Sequence, residues 1–136
     1  MEKKNAKPPR GIRNNNPLNI RVGNNWVGER QHQTDGVFEQ FESMEYGVRA
    51  AFIILRNYIN KYKLNTVRKI VNRWAPKSEN NVDKYIAVVC QFSGLKPDIP
   101  LKFDKRTAVA LFKAMCIMEC GQVIEDEIIE KGFSLI

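Results

Sequence analysis

The run Thr107–Gly121, TAVALFKAMCIMECG, is almost free of charge, and near its end stands one carboxylate, Glu119. An apolar surround and the negative end of a helix both oppose ionisation of a carboxyl group. A carboxylic acid kept protonated near neutral pH is what a general acid needs. The competing reading is a helix-end glutamate that points to water. Thiol and metal chemistry have less support. The three cysteines are Cys90, Cys116 and Cys120, and His32 is the single histidine. Such a set suits free thiols in a reducing compartment. It supplies neither a zinc site nor a cysteine–histidine nucleophile pair. No metal and no cofactor are expected.

The acid needs a helix to carry it. Between Thr107 and Met118 the only charge is Lys113. Val109, Phe112 and Cys116 fall on one side of a helical projection, and Leu111, Met115 and Met118 on another, the pattern of a helix buried all round. At about twelve residues it is too short to span a bilayer. Asp104 suits its N-cap and Gly121 its left-handed end. Upstream, Ser43 caps a helix running to about Tyr62, with Val48, Ala51, Phe52, Leu55 and Ile59 on one stripe. Asn65 or Thr66 caps a second helix carrying Val67, Ile70, Val71 and Trp74, which Pro76 stops. Asn81–Phe92 forms a third, with Val82, Tyr85, Ile86, Val89 and Cys90 inward and Gly94 as its end signal. LKPDIPLKF is a linker, and Glu125–Lys131 forms a short final helix.

Residues 1–10 read as a flexible basic tail, and 11–136 as a single domain with a hairpin lobe (11–42) and a helical lobe (43–136). The opening RGIRNNNPLNIRVGNNWVGER is dense in Asn and Gly. Leu18, Ile20, Val22 and then Trp26 alternate as a small strand or irregular hairpin would. A turn at Asp35–Gly36 leads to a second short strand, with Val37 and either Phe38 or Phe41 inward. The expected class is mainly α (α+β). Hydrophobic residues make up 43% and charged residues 27%, with a net charge of +7. That charge serves solubility or attraction to a polyanion, either nucleic acid or a bacterial envelope rich in phosphate and carboxylate. The basic segment Arg56–Arg73 spreads its charges round two helices without groove-reading spacing, so no nucleic acid is expected. The N-terminus has no apolar h-region and no stretch is long enough for a membrane span, which predicts synthesis in the cytoplasm without a signal peptide.

Four stretches carry a resemblance. Asn16–Arg21 (NPLNIR), followed by Trp26-Val27-Gly28 and Phe38–Ser43, resembles the N-L-F-G-I-K … W-x-G … F-x-x-Y-x-S segment of cell-wall glucosaminidases. The equivalent in goose-type lysozymes and lytic transglycosylases is G-L-x-Q-I. Asn72–Pro76 (NRWAP) is similar to the A-Y-N-A-G-P loop of lytic transglycosylases. Glu79–Val89 (ENNVDKYIAVV) is similar to their E-T-x-x-Y-V-x-x-V, with Glu79 and Tyr85 in the matching positions and Asn80 in place of the Thr. Ile117–Gly121 (IMECG) is similar to the I-x-x-E-S that ends their catalytic helix, with Cys120 in place of the Ser. The order differs, because in those families the Glu-bearing helix precedes the hairpin. The resemblance therefore implies a circularly permuted lysozyme-like domain. The pattern RGIRNNNPLNIR … RWAP … EN is also similar to a phage and prophage family of structural or virion proteins.

The resemblance implies that bacterial peptidoglycan is the partner and that Glu119 protonates the leaving oxygen of a β-1,4 glycosidic bond. Second carboxylates come from Glu29, Asp35, Glu39 and Glu42, with Asp35 and Glu29 the first to test. Without one, the lytic transglycosylase route applies, in which the sugar's own hydroxyl attacks. Tyr85 would bond Glu119 or a sugar, or else be a core tyrosine. Trp26 and Trp74 would stack on sugars or pack in the core. Asn15, Asn16 and Asn19 would meet N-acetyl groups or shape turns, and Glu79 and Asn80 complete the substrate-binding set. Arg13, Arg21, Arg49 and Arg73 would hold stem-peptide carboxylates or are surface charge. A monomer is expected, acting on the wall after release or as part of a phage particle. The alternative is a non-catalytic virion or wall-binding protein.

Overall fold

The computed structural model describes residues 7–75 and 81–136. Six α-helices occur among them: α1 (Arg10–Arg13), α2 (Met44–Arg56), α3 (Val67–Trp74), α4 (Val82–Ser93), α5 (Lys105–Glu119) and α6 (Asp126–Ser134). A π-helical turn, Asn57–Lys61, extends α2. The caps are local and chemical. Thr66 accepts from Lys69 N–H, Asn81 from Lys84 N–H, and Asp104 from Thr107 N–H. Each satisfies a main-chain donor that the first helical turn leaves orphaned. Gly94 ends α4 with φ 77°, a conformation open to glycine because it lacks a Cβ. Ser43 stands at the N-cap of α2 without a side-chain bond.

Helix α2 packs on α6, and α4 packs on both α3 and α5. Gly132 of α6 permits the first contact, since a Cβ there would meet Val48 Cγ1 at 2.5 Å. Phe52 and Phe112 are both buried, their rings 5.0 Å apart, and Phe133 stands edge-on to Phe52. Burying one such side chain is worth roughly 1.5–3 kcal/mol. Most of α5 is buried, including Ala108, Leu111, Phe112, Ala114, Met115 and Cys116. A strip comprising Val109, Ala110, Lys113 and Ile117 stays half-exposed, so the helix is not enclosed on every side.

The expected β-hairpin lobe is absent. Among the described residues there is no strand, only two isolated antiparallel bridges, Arg21 to Phe38 and Glu29 to Phe41. The mainly α part of the expectation holds, but the α+β lysozyme-like lobe does not. The reason lies in the Asn-rich composition. Asn15 and Asn19 adopt φ 53°, and Gly23, Gly28 and Gly36 are also at positive φ, which interrupts any extended run. Side chains then take over main-chain pairing that a ladder would supply. Asn16 is fully buried; its Nδ2 donates to the carbonyls of Ile20 and Glu39, and its Oδ1 accepts from Ile20 N–H. Asn15 Nδ2 donates to the Phe41 carbonyl. Leu18, Ile20 and Phe41 face the core as anticipated, but Val22 and Val37 are exposed because no ladder holds the alternation.

Candidate active site at the end of helix α5

Three elements converge on Glu119. It is the last residue of α5, half-buried, and its carboxyl oxygens each have a donor. The Tyr85 hydroxyl, presented by α4, donates to Oε2 at 2.8 Å. Asn19 Nδ2 donates to Oε1 and to the Glu119 main-chain carbonyl, both at 3.1 Å. The left-handed backbone of Asn19 helps to aim that amide inward, a conformation Asn tolerates better than most residues. Gly121 turns the chain away with φ 67° and donates its N–H to the Cys116 carbonyl.

Burial pushes the Glu119 carboxyl above its ordinary pKa. The bonds from Tyr85 and Asn19 and the charge of Arg21 pull the other way, and burial dominates. Tyr85 is raised well above the usual phenol value, first by burial and then by the adjacent Glu119. Cys120 is buried yet lowered to about 7, chiefly by a hydrogen bond from Cys116, whose own thiol burial holds well above normal. All three cysteines are free thiols.

A cavity of about 360 Å³ shares Asn19 with this constellation; its lining is Asn19, Ile20, Arg21, Asn24, Ile54, Tyr58, Arg73 and Trp74, and includes neither Glu119 nor Tyr85. Trp74 is fixed by Nε1 donating to the Leu18 carbonyl at 3.0 Å and by an edge-on contact with Tyr58. Arg21 also lies over the Phe38 ring at 5.5 Å.

The other anticipated site residues fall elsewhere. Asp35 is bound bidentately by Arg10, accepts from Asn14 Nδ2 at 2.9 Å, and accepts from the N–H groups of Val37 and Phe38. These bonds, that of Arg10 foremost, hold its carboxyl far below the ordinary range. It ties α1 to the turn and leaves no acceptor for catalysis. Glu29 accepts from Trp26 N–H and meets the carboxyl of Glu39. Neither Asp35 nor Glu29 bonds to Glu119 among the described residues. Asn16 braces the backbone. Trp26 is half-buried against the core, with Nε1 buried and unpartnered among the described residues. Glu79, Asn80 and Pro76 lie outside the described residues.

Two residues gain importance only from the structure. Tyr58 sits on the π-helical turn, and nothing in the sequence separates it from other aromatic residues of that stretch. Glu39 is 2% exposed, and its raised carboxyl sits at about 7, first through burial and then through Glu29. Its place near the turn marked it as one carboxylate among several, but not as a buried one.

No protein-family model matches the sequence. "Protein P5" of Pseudoalteromonas phage PM2 is 41% identical over 130 residues, an alignment covering 91% of this chain and 79% of that protein.

Proposed function

Since the chain belongs to the family of Protein P5 of Pseudoalteromonas phage PM2, we propose that it is a phage protein that cleaves the glycan strands of peptidoglycan, with Glu119 as general acid. The observation that carries this reading is the Glu119 carboxyl, raised by burial and held at both oxygens by Tyr85 and Asn19, of which Asn19 also lines a cavity. A neutral carboxyl gives its proton to the leaving glycosidic oxygen as the sugar takes on oxocarbenium character. The carboxylate left behind is then stabilised by the same two donors, which need not reorganise.

With Asp35 committed to Arg10 and Glu29 to Trp26 and Glu39, no second carboxylate among the described residues bonds to Glu119. That favours transglycosylation over hydrolysis. The sugar's own hydroxyl attacks the anomeric carbon, its proton passes to the Glu119 carboxylate, and an anhydro-sugar end forms. Mass spectrometry of digested sacculi tests the reading. Wild type is expected to release muropeptides with anhydro ends, and Glu119→Gln to release at least about a hundredfold fewer. Equal release by both proteins would remove Glu119 from the chemistry.

A second reading is a non-catalytic particle component that binds the wall. It is favoured by the structural use of Asp35 and Glu29, and by Cys120, where the resembling enzymes carry Ser. A relative from a phage suits it at least as well. Wild type that binds sacculi without releasing soluble fragments would establish that reading instead.

A further inference from the structure

We propose that a groove over the exposed strip of α5 is a docking surface for an acidic, amphipathic segment of a partner protein. The groove measures about 580 Å³ and is lined from three helices: Phe92 from the last turn of α4, Glu130 from α6, and the rest from α5 between Lys105 and Lys113. Neither Glu119 nor its donors Tyr85 and Asn19 take part in the lining, so the inference stands whether or not the chain cleaves glycan.

The apolar part of the groove is Phe92, Val109 and Ala110. Phe92 is 61% exposed, and Val109 and Ala110 lie on the one half-exposed strip of a helix that is otherwise buried. A single apolar side chain at a surface needs no explanation, but several that floor a concavity ringed by charge mark a contact surface. The charged part is Lys105, Arg106 and Lys113 against one carboxylate, Glu130. Lys105 pairs with Glu130, and Lys113 pairs with Asp126 at 2.7 Å, all four side chains being exposed. Exposed pairs hold little energy, so their cations exchange readily to a carboxylate brought in by a partner. Arg106 forms no ion pair among the described residues; Asp104, whose carboxylate it influences, already accepts from the Thr107 N–H.

Charge selects the occupant. The chain's own opening, MEKKNAKPPR, is basic. A second copy related by a twofold axis would set these cations against one another. A phosphate backbone meets the cations but leaves the apolar floor unused. An amphipathic segment with apolar residues on one face and carboxylates at its flanks meets both. From Lys105 to Lys113 the helix rises roughly 12 Å, room for about two turns of such a segment.

The test uses a capped, dye-labelled peptide of about 14 residues, with leucines at i, i+3, i+4 and i+7 and glutamates at their flanks. The same peptide with Gln for every Glu is the control. Fluorescence anisotropy with the full chain at low salt is expected to show the acidic peptide binding about tenfold more tightly, a difference that shrinks as salt rises. Arg106→Glu should weaken the acidic peptide about tenfold, and Phe92→Ser should weaken both peptides, neither substitution changing the melting temperature. In amide NMR spectra the acidic peptide should shift Ala110 and Lys113 and leave Asn19 and Gly121 in place. Equal binding of the two peptides, no binding of either, or shifts centred on Asn19 overturns the proposal. So does tighter binding of phosphatidylglycerol vesicles or duplex DNA that Arg106→Glu abolishes, which would give the groove to lipid or nucleic acid. Dimerisation of the wild type that Arg106→Glu abolishes would give it to a second copy, and overturns the proposal as well.

Discussion

Replacing Glu39 by Gln is expected to change the pH dependence of stability in a defined window. Glu39 is 2% exposed, and its carboxyl accepts the main-chain N–H groups of Gly23 and Asn24 while facing Glu29. Burial, and then Glu29, raise its pKa from 4.5 to about 7. A carboxyl raised on folding binds its proton more tightly in the native state than in the unfolded chain. The stability that Glu39 contributes is therefore greatest below about pH 4.5, falls as pH rises through the window to about 7, and levels off above it. The interval from 4.5 to about 7, at ~1.4 kcal/mol for each pH unit, gives ~3 kcal/mol as an upper bound. A glutamine amide can accept the same main-chain donors and donate to the Glu29 carboxylate, so Glu39→Gln keeps the bonds and removes the titration. Urea unfolding from pH 4.5 to 8.5 is the assay. Wild type should lose up to ~3 kcal/mol relative to Glu39→Gln across the window, and the variant should be the more stable protein at pH 8. Parallel profiles for the two proteins would refute the assignment of a buried, proton-sharing carboxyl.

Two further perturbations test how the opening segment is held. A Cβ at Gly47 would lie 1.8 Å from the Asn15 carbonyl oxygen. Because that atom is backbone and cannot swing aside, Gly47→Ala should cost about 3 kcal/mol or more, read as a large fall in melting temperature. Asp35→Asn breaks the bidentate link to Arg10, and since Arg10 is largely exposed the loss at pH 7 should be about 1–2 kcal/mol. Asp35 has a depressed carboxyl, so its stabilisation is present above the usual carboxylate range and is lost as pH falls. The gap between wild type and Asp35→Asn, measured by thermal melts at pH 7 and pH 3, should narrow in acid.

The helices were legible because their determinants are local. Thr66, Asn81 and Asp104 each cap a donor three residues on, and Gly94 ends its helix through its own φ, so those boundaries are written within a few residues of themselves. The apolar stretch before Glu119 likewise specified a largely buried helix, and with it a carboxyl that resists ionisation. The opening segment misled because alternation of Leu18, Ile20 and Val22 signals a strand only if a ladder forms. Here the Asn side chains compete for the main chain, and Asn16 in particular is spent on it. Burial of Glu39 against Glu29 could not be seen either, since carboxylates near a turn normally face water.

What the sequence determined alone was helices α2 to α6, the caps of α3, α4 and α5, and the chemical type of the residue ending α5; helix α1 lay in what read as tail and hairpin. The tertiary structure decided which side chains meet that residue. Tyr85 lies 34 positions away and Asn19 lies 100, so only the packing of α4 on α5 and the path of the opening segment bring their donors to the carboxyl oxygens. It also decided which carboxylates are occupied, committing Asp35 to Arg10 and setting Glu39 against Glu29. Such pairings depend on atoms a few ångströms apart in space, and separation along the chain carries no record of them.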